Sequence, residues 1–217
     1  MNTTTKTILG VSFVAAFALI AFTPLASAVS TLVSATISED DQTLDAAFST
    51  ATKINKGGQD GAFGYGVVTL DGLGTGQGDS LMVATTHKGV YDSEKQDGQF
   101  DPVWHTHFVQ LADGTGVCTD SNSGAGLGPL QVANLSFEEP GKVKVKKQTQ
   151  LFLEDMPRIF DGTNALTGSP MTWTPETDAS LVVQFTLRPV DEFGNTDLDF
   201  EHVCVENTIG YALPLTP

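Results

Sequence analysis

The chain has 217 residues, with 26 Asp or Glu against 11 Lys or Arg and a formal charge of −15. Such a surface repels nucleic-acid phosphates and anionic membranes, which argues against both as partners, and it draws cations. An acidic surface of this kind is more often simply solvated than a cation site.

The N-terminus carries one positive charge, Lys6, then an apolar run over 8–22, Pro24, and the small-residue pattern Ala26-Ser27-Ala28. These are the three parts of a secretory signal, with cleavage expected after Ala28. The run is short for a membrane span, which needs about 20 apolar residues. Residues 213–217 lack the apolar tail of an anchor signal. The expected protein is therefore a single β-rich domain over 29–217 in an extracytoplasmic place: periplasm, pseudoperiplasm, cell surface or medium. Loss of Lys6 leaves the domain still more acidic.

Residues 29–37 are small and β-branched and predict a first strand or an extended lead-in. Ser38 can cap a helix, and Glu39, Asp40 and Asp41 suit its positive end. Leu44, Ala47, Phe48, Ala51 and Ile54 recur at helical spacing, and Lys53, Lys56 and Gly57-Gly58 suit its end, so one amphipathic helix is predicted at about 39–55. Beyond it, β-branched runs predict strands near 64–70, 81–87, 103–111, 131–137, 142–154, 180–190 and 202–206. In the run at 180–190, Leu181, Val183, Phe185 and Leu187 alternate with polar or smaller residues. Turn pairs such as Asp113-Gly114 and Pro140-Gly141 punctuate these runs. The pattern predicts a mainly β fold, an antiparallel sandwich or jelly roll. The longest stretch without β character, 155–177, reads equally as a functional loop or as a connection covering one end of the sandwich.

The two cysteines, Cys118 and Cys204, are expected to form a disulfide in an oxidising compartment. In the loop-entropy treatment such a long loop is worth ~4 kcal/mol. Two thiolates ligating a soft metal rank lower, since no close Cys-x-x-Cys spacing exists.

Four histidines carry the main chemical signal: His87, His105, His107 and His202. In Val103-Trp104-His105-Thr106-His107 the two rings share one side of a strand, with Cβ atoms about 7 Å apart. Copper, zinc and iron accept neutral imidazole at about 2 Å, so a strand-borne His-x-His is half a metal site. His87 ends a neighbouring strand and is the expected third ligand. His202 shares a face with Cys204, and the disulfide would draw it towards the His-x-His strand as a fourth. Asp92, Asp101 and Asp113 flank the motif as candidate carboxylates. The plainer alternative is that these are ordinary strand histidines, solvent-facing or hydrogen-bonded.

The segment Gly98-Gln99-Phe100-Asp101-Pro102-Val103-Trp104-His105-Thr106-His107 resembles the first metal motif of the cupin family. The resemblance covers only 98–112. The family sets its leading glycine closer to the histidine pair and places a glutamate where this chain has Leu111 or Ala112. Its second motif has no counterpart, so the family is not assigned.

Weaker motifs include the glycine-rich 72–79, which reads as a hairpin loop, and the acidic 195–201, which lacks EF-hand spacing. Asn134-Leu135-Ser136 is a glycosylation sequon. No Gly-x-Ser-x-Gly elbow occurs, so no hydrolase triad is inferred. The sequence thus supports a secreted β-sandwich binding module with a copper or zinc site. The competing expectation is a structural or adhesive envelope protein that binds a protein or glycan. It would be favoured if the imidazoles did not cluster within about 5 Å of one another, because metal–nitrogen bonds near 2 Å demand proximity.

Overall fold

A computed structural model of the chain describes residues 31–55, 61–69, 77–88, 103–118, 129–174, 179–193 and 202–212. Its regular elements are all strands: β1 (Leu32–Glu39), β2 (Thr43–Thr50), β3 (Gly61–Thr69), β4 (Gln77–Lys88), β5 (His105–Asp113), β6 (Leu130–Leu135), β7 (Lys142–Lys146), β8 (Gln150–Pro157), β9 (Phe160–Thr163), β10 (Pro170–Trp173), β11 (Ala179–Val190) and β12 (His202–Ala212). No membrane-length apolar helix occurs among the described residues.

The helix expected at 39–55 is instead a β-hairpin, β1–β2. Leu44, Ala46, Phe48 and Thr50 are buried while Asp45 is exposed, which is a period of two. Leu44 and Phe48 fit both periods, and Ala46 rather than Ala47 faces the core. Asp40 does not cap a helix. Its Oδ1 accepts from the backbone N–H of Gln42 at 2.8 Å and Thr43 at 2.7 Å, closing the hairpin turn. The donors, Thr43 first and then Gln42, hold the Asp40 carboxyl below its usual pKa.

The expected sandwich takes a different form. Strands β11-β12-β6-β5-β4-β3 close into a six-stranded antiparallel barrel, sealed by β3 pairing with β11 through Val67↔Val182 and Gly64↔Phe185. A separate sheet, β1-β2-β8-β7, lies against the outside of the barrel. The run at 142–154 is not one strand: Lys147 (φ 50°) and Gln148 (φ 61°) turn the chain between β7 and β8. The stretch 155–177 contains the hairpin β9–β10, which caps the outer core. There Phe108 stacks on Trp173 at 4.3 Å and lies 4.8 Å from Phe160.

Strand alternation sorts the side chains into two cores. Phe63, Tyr65, Met82, Ala84, Trp104, Phe108 and Val182 point out of the barrel, onto Leu44, Phe48, Leu151 and Leu153 of the covering sheet. Val68, Leu81, Val83, Val109, Leu111, Val132, Val183, Phe185, Val203 and Val205 fill the lumen. A six-stranded barrel has little room inside. Strand β3 accordingly offers glycine where the wall is tightest: a Cβ at Gly64 would stand 2.6 Å from the Ala84 carbonyl oxygen and 2.9 Å from the Phe185 ring.

A candidate metal centre inside the barrel

The site follows from the alternation of β5. Trp104, Thr106 and Phe108 face outwards, where the first and last join the outer core. Residues of the opposite parity, His105 and His107, therefore enter the lumen in line with Val109 and Leu111. Thr106 is held from outside by a hydrogen bond from its hydroxyl to the Pro140 carbonyl. On β4, Leu81 and Val83 face the lumen, and so do Thr85 and His87 beyond them. The ladder pairs Val83 with His107 and Thr85 with His105, which leaves His87 diagonal to His105.

The three histidines are brought together. Ring centroids are 4.5 Å apart for His87 and His105 and 4.8 Å for His105 and His107, with both pairs edge-to-face. His87 and His107 are 6.3 Å apart. One potential ligand atom from each lies within 4.8 Å of the others. His87, His105 and His107 are only 8%, 4% and 1% exposed, and His105 Nε2 is fully enclosed. Two imidazole nitrogens on a tetrahedral ion with ~2 Å bonds stand about 3.3 Å apart, somewhat closer than the 4.8 Å that bounds this group.

Backbone carbonyls set the rings. Nδ1 of His107 donates to the Ser136 carbonyl at 2.8 Å, and Nδ1 of His105 donates to the Val103 carbonyl at 2.9 Å. A carbonyl only accepts, so in the neutral form of either ring the proton sits on Nδ1 and the lone pair on Nε2. Ser136 is itself fixed, since its hydroxyl donates to the Glu138 carbonyl at 2.8 Å and accepts from the Phe108 N–H at 3.1 Å. Burial, then the neighbouring His105 and His107's other neighbour His87, push the His107 pKa well below its usual value. His107 is therefore neutral at pH 7, the form a metal requires.

His202 does not join this group. It shares a face with Cys204, as the sequence implies, but that face is the outer one: Val203 and Val205 between them fill the lumen. His202 is half-buried on β12, and β6 stands between β12 and β5. The Cys118–Cys204 disulfide is present, with Cα atoms 5.6 Å apart. It pins the far end of β5, beyond Asp113, about 20 Å along the strand from His107. Asp113 is exposed there, its carboxylate taken by Thr115. Asp92 and Asp101 lie outside the described residues, as do Gly57-Gly58, 195–201 and most of 72–79. The sequon asparagine is engaged on both sides: Asn134 Nδ2 donates to Gln110 Oε1 at 2.6 Å, and its Oδ1 accepts from Asn164.

Sequence reasoning did not find the carbonyls of Val103 and Ser136 that orient the rings. Any residue type supplies a carbonyl, so no residue signal exists for them. Thr85, the cross-strand partner of His105, was likewise missed; its hydroxyl donates to the Phe63 carbonyl at 2.9 Å.

No known protein family, curated protein or solved structure matches this chain.

Proposed function

We propose that this is a secreted β-barrel protein that binds one transition-metal ion, copper or zinc, through ring nitrogens of His87, His105 and His107. The observation that carries the reading is the enclosure of three histidines with ligand atoms within 4.8 Å of one another. Burying three imidazoles beside the Val, Leu and Phe side chains of the lumen carries a desolvation cost, and ligation of a shared ion would offset it. Two ring pairs lie within 5 Å, which favours this reading over the structural or adhesive one. Export is supported by the signal-like N-terminus and by the disulfide, which persists in oxidising compartments. The enclosure suits storage, delivery or a structural ion.

The test is metal analysis of purified wild-type protein beside His105→Ala and His107→Ala. One equivalent of metal in the wild type, reduced to background in both variants with the β-sheet circular dichroism retained, is the expected result. Metal content that neither substitution changes would sink the reading.

A further inference from the structure

We infer that the free edge of β1 is a docking surface for a second copy of this chain, the two β1 strands pairing antiparallel across a two-fold axis. The inference stands apart from the metal reading. Its first ground is how the other strand edges are guarded. Unpaired edges recruit other strands, and proteins blunt them with lysine, proline, short length or a covering segment. The barrel is closed and has no edge. Strand β7 is five residues long and sets Lys142, Lys144 and Lys146 on its exposed face. Strand β10 is four residues long and opens with Pro170. Strand β9 is covered, because Ser136 bridges Asn164 and the Phe137 N–H donates to the Thr163 carbonyl at 2.7 Å. Strand β1 is eight residues long and ends its sheet with no lysine, arginine or proline. Its one charge, Glu39, is paired with Arg158 at 3.5 Å.

The second ground is register. The Asp40 N–H donates to the Thr43 carbonyl at 3.0 Å and closes the β1–β2 hairpin. Hydrogen-bonded pairs alternate along an antiparallel ladder, so Ser38, Thr36 and Ser34 direct their backbone groups to Asp45, Ala47 and Ser49. Ala35, Ile37 and Glu39 then turn their N–H and C=O groups to the open side, where no strand pairs with β1 among the described residues. The start of that side is closed, since the Leu32 N–H donates to Gln184 Oε1 of the barrel at 2.8 Å. A two-fold axis at Thr36 uses the open groups: Ala35 bonds the partner's Ile37, and Ile37 the partner's Ala35. On the exposed face Ser34 meets the partner's Ser38 and Thr36 its own copy, cross-strand pairs that favour association. Glu39 faces the partner's Val33, so no carboxylate opposes another. The two four-stranded sheets become one that ends on the lysine edge of each β7, which stops assembly at a dimer.

The experiment is analytical ultracentrifugation of the signal-cleaved, disulfide-bonded protein over a range from ~1 to ~200 µM. One strand pair buries less than the standard interface of about 1,600 Å2, so a dimer with Kd on the order of 10 µM in about 0.5 M NaCl is expected. Both copies are strongly acidic, so lowering the salt tenfold is expected to weaken the dimer by at least ~5-fold. Thr36→Lys, an exposed change that opposes like charges, is expected to weaken it by at least ~10-fold with the β-sheet circular dichroism retained. Lys144→Ala, on the other edge, is expected to leave it unchanged. Oxidation of Thr36→Cys is expected to give a covalent dimer, because directly opposed residues of this pair type have Cα atoms about 4.5 Å apart. Ser38→Cys, about 13 Å from its copy in this register, is expected to give none. A wild type that stays monomeric throughout the range would overturn the inference. So would a dimer that Thr36→Lys leaves intact, or one that Lys144→Ala or added salt dissolves.

Discussion

Strand β5 begins and ends in different chemistry. At its start, His105 and His107 turn polar rings into the lumen beside His87, where burial opposes any charge on His107. Just past its end, Cys118 is joined to Cys204 and packed with Val190 and Val117. One end is closed covalently and serves the fold. The other accepts the penalty of burying polar groups, which a stable barrel does not require. On the proposed reading, that contrast puts the metal site at the histidine end, since valine or leucine there would fill the lumen with a smaller desolvation cost.

The largest expected effect comes from the closed end. Replacing both cysteines, Cys118→Ser with Cys204→Ser, is expected to lower stability by about 2–5 kcal/mol in urea unfolding. The folded fraction should still bind one metal ion; loss of metal along with stability would mean the two ends are not separable. Next comes the open end. A metal at 100 times its dissociation constant is expected to raise the unfolding free energy by about 2.7 kcal/mol, and none of that gain should survive in His105→Ala.

A smaller effect is set by pH. The folded-state pKa of His107 lies well below its usual value, so below about 6.5 the unfolded chain takes up a proton that the folded chain refuses. Metal-free stability is thus fully present above that pH and falls as pH drops, by up to ~1.4 kcal/mol per unit for this one group. Urea midpoints across pH 4.5–7.5 for the wild type and His107→Leu measure it. A wild-type curve with the same slope as the variant's would remove His107 as the cause. The smallest effect is expected on the covering sheet, where Lys142 pairs with Asp155 at 2.6 Å on an exposed face. Lys142→Ala should change stability by no more than ~0.5 kcal/mol and leave metal binding alone.

Local alternation made much of this legible. The residues of β11 that share a face read directly from the sequence, as did the placement of His105 and His107 on one side of β5. His87 followed from its position at the end of an apolar run. The hairpin β1–β2 did not read correctly, because Leu44 and Phe48 satisfy a helical and a strand period alike. The acidic residues that resemble a helix start form an Asx turn at Asp40 instead. Barrel closure was beyond local pattern: it depends on β3 meeting β11 across more than a hundred residues, at Val67↔Val182. His202 was misplaced for a related reason. Its link to Cys204 was real, but which face of β12 looks into the lumen is decided only when the barrel closes.

The most direct test of the central claim is a crystal structure of the metal-loaded protein, with anomalous differences collected at the absorption edge of the bound metal. The account predicts one strong peak in the lumen, at about 2 Å from a ring nitrogen of each of His87, His105 and His107. A peak on the acidic surface alone, with the lumen histidines unmoved and no density between them, would contradict it.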